Sequence, residues 1–363
     1  AGGKQAGDAP AGQPAAPGPM GYKPNPEGTR RYVASLGPKG LLPQAAPELF
    51  EARGPPRSVL LYRYLYKVSP GWRVGRQGIG DCVSWGWKHA VEMLSAVDYV
   101  GRKSGEWKPV ASEAIYGGSR VQARGVNQGG WSDGSYGAAA AKWVKDWGVV
   151  FRQPYPGIDL STYSKERAKN WGNYGCPHDL EVVTREHPVK TVALVVNFAE
   201  AAAAIQNGYP VPVCSNQGFA STRDKDGFAA ASGNWSHCMC FVGVRFANDP
   251  ENPSKRDGLL CLNSWGPSWI SGPKWPSDQP DGSFWVEART ADRMLAGRDS
   301  FALSNYVGFP RRQLDHGKGW RVNNPGPPLR VECLAAAEQP FEFRNLVMAA
   351  SLQRGVFRCA REH

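Results

Sequence analysis

Cys82 closes the run Gln77-Gly78-Ile79-Gly80-Asp81-Cys82 and opens an apolar-striped segment. A cysteine at a helix start meets free backbone N–H groups and the positive end of the dipole. That setting favours the thiolate, the nucleophilic form. Gln77 precedes it across Gly78 and Gly80, a turn flexible enough to fold the amide back beside the thiol. There it would share an oxyanion with the Cys82 backbone N–H. His237 opens the strand-like run Cys238–Val244, and a neutral imidazole at a strand start could take the thiol proton and later protonate a leaving amine. Asn263 ends the apolar run Leu259–Leu262. Its carbonyl could fix the imidazole tautomer by accepting the second ring N–H, with Trp265 shielding that bond from water. Each residue also has a plain alternative: a buried structural cysteine, a surface glutamine, a core histidine on a backbone carbonyl, a turn asparagine. His89 lies about 10 Å along the same helix from Cys82, at ~1.5 Å per residue, too far to act on the thiol.

The elements that must position these groups read as follows. A helix is expected over about Asp81–Val100, since Val83, Trp87, Ala90, Leu94 and Val97 form one stripe. Further helices fit Tyr136–Trp147, stopped by Gly148, and Phe198–Gln206, stopped by Gly208. The second half reads as strands at Thr191–Val196, Tyr209–Ser215, His237–Phe246, Gly258–Asn263 and Ser283–Ala288, with loops at Ser221–Trp235, Asp249–Arg256 and Pro267–Gly282. Ser58–Arg76 reads as an extended, aromatic-rich lead-in. Helices precede strands instead of alternating with them, which predicts an α+β fold.

Residues 1–28 are rich in Ala, Gly and Pro and read as a flexible tail. Residues 29–57 add apolar side chains among prolines and read as an arm laid over a surface, this molecule's own or a neighbour's. The main domain is expected over 58–310, with a helical part over about 77–188 and a β part over about 189–310. Residues 311–363 form a C-terminal extension.

The formal charge is +11, from 43 basic and 32 acidic residues. The basic residues are scattered, so the charge reads as a solubilising surface and implies no specific nucleic acid. Eight cysteines show no CxxC pair and lean towards a reducing compartment. Cys176-Pro177-His178 with His187 lacks the ligands of a closed zinc site, and there is no phosphate loop; neither metal nor cofactor is expected. No run of about 18 apolar residues occurs, so no membrane span is expected. The start Ala1-Gly2-Gly3-Lys4 shows no secretory leader, which favours a cytoplasmic or virion-associated location over a secreted one.

Together the segments resemble the papain-like cysteine peptidases, in a divergent, bacterial or phage-type form. Asn263-Ser264-Trp265-Gly266-Pro267-Ser268-Trp269 matches that family's Asn-Ser-Trp-Gly-x-x-Trp in full. Asp133-Gly134-Ser135-Tyr136, Pro154-Tyr155-Pro156 and Ile205–Val211 look like its substrate-binding turn, its Tyr-Pro-Tyr and its Pro-Val strand lead. Asn127-Gln128-Gly129-Gly130 mimics the turn but sits less well relative to the following helix. The resemblance covers about Ser58 to Phe309. Gly80 stands where the family has a disulfide cysteine, Val83 replaces a Trp, and the gap from Gln77 to Cys82 is one residue shorter. The separations from Cys82 to His237 and Asn263 exceed the roughly 130–150 residues of the papain signature.

The resemblance implies a two-lobed fold with a helical lobe and a β-barrel-like lobe. It implies an endopeptidase with Cys82 as nucleophile, His237 as base then acid, Asn263 as orienting residue and Gln77 as oxyanion donor. Gly134, Ser135 and Trp265 would contact a peptide or protein substrate. The family's helical pro-segment pattern is not evident in residues 1–57. A second reading makes the chain a virion or envelope-associated assembly component, docking through residues 1–57, with a weakly active or inactive domain of this type. A third makes it an amidase of cell-wall peptides.

Overall fold

The computed structural model describes residues 17–51, 57–102, 106–124, 132–312 and 314. The fold is α+β. Helices α1 (Pro26–Ser35) and α2 (Leu42–Ala45) precede strand β1 (Val59–Leu60) and helix α3 (Tyr62–Val68). The helical part holds α4 (Cys82–Arg102), α5 (Ser112–Arg120), α6 (Gly137–Asp146), the short hairpin β2 (Pro154–Tyr155) and β3 (Ile158–Asp159), α7 (Lys165–Tyr174) and α8 (His178–Thr184). The β part follows with β4 (Thr191–Leu194), α9 (Phe198–Gln206), β5 (Val211–Arg223), β6 (Ala229–Arg245), β7 (Gly258–Leu262), β8 (Ser283–Glu287), α10 (Ala288–Leu295) and β9 (Phe301–Ser304).

The expected α4, α6 and α9 form within two residues of the positions read from their stripes, because each buries an apolar face. α4 packs against both α3 and the sheet, which is why Trp87, Met93 and Leu94 are fully buried on it. The Asp81 carbonyl accepts from Ser84 N and Trp85 N, so the first turn of α4 is closed directly behind the Gly-rich turn.

β6 is the spine of the sheet. It pairs antiparallel with β5 and then β1 on one side and with β7 on the other, and β7 pairs with β8. The register places Ser215 opposite His237 and Cys240 opposite Leu262. The same spine therefore carries His237 beside the strand that ends at Asn263. β4 does not join this sheet; it pairs with β9.

Some expectations are corrected. Among the described residues the sheet is open rather than barrel-like. A single bridge, Phe228 to Trp285, draws the β5–β6 turn to β8, but no ladder forms there. Residues 221–235 are not one loop: β5 runs to Arg223 and β6 starts at Ala229. The Asp224 carboxylate accepts from Asp226 N and Phe228 N, which makes the hairpin turn. Phe219 and Trp235 stay buried on the face towards Trp269 and Phe284. The Ser58–Arg76 lead-in contains helix α3, because Tyr62 and Leu65 bury one turn apart and Asp278 receives Tyr62 and Arg63. Residues 17–28, read as tail, lie along the molecule's own body, and 29–50 pack beside them. Residues 17–23 are held by backbone hydrogen bonds and the buried Tyr22, which a count of large apolar residues overlooks, while Leu42, Ala46 and Leu49 bury in the core. The expectations for residues 1–16, for Asn127–Gly130 and for almost all of 311–363 lie outside the described residues.

Candidate active site

Cys82 is buried at the first position of α4, as its place behind the Gly-rich turn requires. Its sulfur lies beside the backbone of Cys238, the residue after His237, and of Gly21, both of which favour the thiolate. The helix start and the β6 spine thus bring the thiol to the His237 segment. Burial nevertheless dominates and pushes the Cys82 thiol well above its ordinary range; the two backbone neighbours oppose it.

His237 Nε2 lies 2.7 Å from Asn263 Oδ1. Asn263 Oδ1 also accepts from Ser264 N at 2.7 Å, so it is fixed as the acceptor and His237 Nε2 must carry the proton. That leaves Nδ1 with its lone pair and no hydrogen-bond partner. The Trp265 ring lies over the imidazole, with centroids 4.5 Å apart, and Trp235 and Trp269 pack around it. Trp265 is 2% exposed. The shield expected over the His–Asn bond is therefore an aromatic cluster. Burial lowers His237 to about 4, partly opposed by Asn263. Burial works against the charged form of both the sulfur and the ring, and so opposes the thiolate that the helix terminus alone favours.

Gln77 is held on the Asn263 side of the cleft. Its N–H donates to the Ser264 carbonyl at 2.8 Å, Ser264 Oγ donates to its Oε1, and Arg76 bridges to Trp265. With Oε1 so occupied, Nε2 is the outward donor. It reaches two carbonyls: Ile79 at 2.8 Å and Pro19 at 3.0 Å.

The Pro19 contact belongs to an extended strap that crosses the cleft. Trp265 Nε1 also donates to Pro19 O, at 3.1 Å. Ser135 N donates to Gly21 O at 2.9 Å, Lys23 N to Ser135 O at 2.8 Å, and Tyr22 N to Ser236 O at 3.0 Å. A Cβ added to Gly21 would overlap the Gly80 carbonyl, and one on Gly80 would lie 2.6 Å from the Met20 carbonyl. Glycine at both positions is what lets the two backbones touch. The Tyr22 side chain is buried and bonds Asp299, whose carboxylate also caps α6 at Gly137 N and Ala138 N. Burial raises Asp299 to about 7, opposed by those N–H groups.

His237, Asn263 and Gln77 are linked through Ser264, and Cys82 lies beside the backbone of Cys238, the residue after His237. Ser135 and Trp265 hold an extended backbone. Gly134, with φ of 119°, makes the turn that presents Ser135; its N–H is fixed by Tyr116 Oη at 2.9 Å. His89 sits between the rings of Trp72 and Trp85 with neither nitrogen bonded. Among the described residues no group of three or more His, Cys, Asp or Glu side chains is placed to hold a metal, and no helix is long and apolar enough to cross a membrane. Sequence reasoning missed the strap, Asp299, and the side chains that brace the Gln77 turn. The pairing of Gly21 with Gly80 was the available signal, but it is visible only once the two segments meet.

No protein-family model matches the chain, and no curated protein matches it. Among solved structures the chain is similar to xylellain, a cysteine protease from Xylella fastidiosa, at 15% identity and a TM-score of 0.45, covering 79% of this chain and 91% of that one. It is similar to the bromelain protease from Ananas comosus at 14% identity and a TM-score of 0.43, covering 69% and 99%. It is similar to digestive procathepsin L 3 of Tenebrio molitor at 16% identity and a TM-score of 0.43, covering 76% and 79%. Likeness at this level does not carry a functional reading; the geometry of the cleft does.

Proposed function

We propose that this chain is a papain-like cysteine peptidase whose cleft is closed by its own residues 17–23. The observation that carries the reading is the strap itself. The groove beside Cys82 already holds an extended polypeptide by its backbone, through Ser135, Ser236, Gln77 and Trp265. Groups so arranged suit a peptide substrate.

In the open cleft the Cys82 sulfur attacks the scissile carbonyl carbon. The thiol proton passes to His237 Nδ1, the one ring nitrogen not held by Asn263. Gln77 Nε2 and the Cys82 N–H stabilise the oxyanion, a contribution of about 3 kcal/mol per donor at comparable sites. Collapse breaks the C–N bond, the amine leaves with the His237 proton, and a thioester remains on Cys82. Water, deprotonated by His237, then hydrolyses it. With the strap seated, Pro19 O occupies the Gln77 amide and the strap fills the groove a substrate would use, so the seated form is inactive.

The reading is tested by casein hydrolysis. The chain with Gly21→Ala should cleave casein, and Cys82→Ala on that background should abolish it. Full activity without Cys82 contradicts the mechanism. A second reading, an assembly protein with a silent domain of this type, is favoured by the filled cleft. It wins if opening the strap yields no hydrolysis.

A further inference from the structure

The turn from Gln77 to Asp81 sets the distance between the amide donor and the thiol. Gly78 and Gly80 within it offer little resistance to drift, and no covalent bridge holds it, since Cys82 is a free thiol and position 80 is glycine. Side chains from elsewhere brace it instead. Gly78 N donates to Tyr163 Oη at 3.1 Å, and the same hydroxyl donates to Asp81 Oδ2 at 3.0 Å. Tyr163 therefore clips the residue after Gln77 to the residue before Cys82. Trp85 Nε1 donates to the same carboxylate oxygen at 3.2 Å, and its ring packs edge-on against Tyr163 at 5.2 Å. Gly80 N is separately tied to Asp133 Oδ2 at 3.0 Å.

We propose that Tyr163 is a positioning residue that acts through Gln77, its hydroxyl fixing the separation between the oxyanion amide and the Cys82 sulfur. This role rests on the peptidase reading above. It requires that loss of the hydroxyl weaken transition-state binding while leaving the thiol and the ground-state contacts at Ser135 in place.

The test uses the full chain opened by Gly21→Ala as parent, with Tyr163→Phe, Gln77→Ala and the double variant. Three readouts are taken: kcat and KM on a chromogenic peptide amide, the inhibition constant of a peptidyl aldehyde, and the rate of Cys82 alkylation by iodoacetamide. The aldehyde forms a hemithioacetal whose oxygen uses the oxyanion donors; iodoacetamide does not. Tyr163→Phe should lower kcat roughly tenfold or more and weaken the aldehyde in parallel, within the range of losing part of one donor. KM and the alkylation rate should stay within about twofold. In the Gln77→Ala background the further loss should shrink to about twofold or less, because the effect runs through Gln77. An equal loss in both backgrounds overturns the role, as does an alkylation rate that falls with kcat. A parent that neither cleaves the amide nor binds the aldehyde rejects the peptidase reading, and this role with it, before any Tyr163 variant is compared.

Discussion

The Pro19 carbonyl lies 3.0 Å from the Gln77 amide nitrogen. An acceptor supplied by the chain thus rests on the donor assigned to the oxyanion. The same oxygen receives Trp265 Nε1, so one carbonyl ties the strap to the Gln77 turn and to Trp265 together. On the proposed reading this is a closed form whose blocking group is its own backbone.

Gly21→Ala should open it. The added Cβ overlaps the Gly80 carbonyl, and Gly80 is held in place through its N–H on Asp133 Oδ2, so the strap is the part that gives way. Alkylation of Cys82 by iodoacetamide, located by mass spectrometry, should accelerate by about tenfold or more over the unsubstituted chain, the effect of a strap destabilised by over ~1.4 kcal/mol. An unchanged rate would show that the strap does not govern access.

Asn263→Ala should free the imidazole. Among the described residues Asn263 Oδ1 is the hydrogen-bond partner of His237 Nε2, at 2.7 Å. In the opened chain, kcat on a peptide amide should fall about tenfold or more, as when the orienting group of a comparable triad is lost, with KM moved far less. A KM effect alone would place Asn263 in binding instead.

Between pH 7 and 5 the closed fold should lose stability through His237. Its pKa is lowered from 6.5 to about 4 in the folded chain, so the unfolded chain binds more protons in that window. Stability from this group is full above 6.5 and is lost as the pH falls towards 4. The loss by pH 5 is ~2 kcal/mol. Urea unfolding of the chain and of His237→Gln at both pH values measures it: the variant should lack that component of the decline. Asp299, raised to about 7, acts with the opposite sign in both proteins, so the difference between them isolates His237.

Trp265→Ala should cost about 3–5 kcal/mol of stability, the usual range for emptying a large buried aromatic site. Trp265 is 2% exposed and contacts the rings of Trp235, His237 and Trp269. Denaturant melts give the value; a loss under ~1 kcal/mol would mean that the cluster repacks.

The site was legible where a local pattern and a chemical need coincided. Cys82 begins a striped helix and Asn263 follows an apolar strand, as expected; His237, expected at a strand start, lies well inside β6, because the β5–β6 hairpin extends that strand back to Ala229. What stayed hidden depends on contacts between distant segments. Helix α5 carries Gly117 and Gly118, poor helix formers, yet Gly118 lets the Trp143 ring approach and Gly117 admits Trp171. Tertiary packing overrides propensity there. The strap has no period, because its hydrogen bonds go to Ser135 and Ser236 and not along itself. Tyr163 and Asp81 lie far apart in sequence, and no motif announced that one hydroxyl would span the Gln77 turn.

The most direct test of the central claim is covalent. The chain opened by Gly21→Ala is treated with a thiol-directed peptidyl epoxide, with a known cysteine peptidase as control, and the adducts are mapped by mass spectrometry. A single adduct on Cys82, lost in His237→Gln, is the result expected of an activated thiol whose imidazole protonates the opening ring. No adduct on Cys82 while the control is labelled, or an adduct indifferent to His237→Gln, would contradict it.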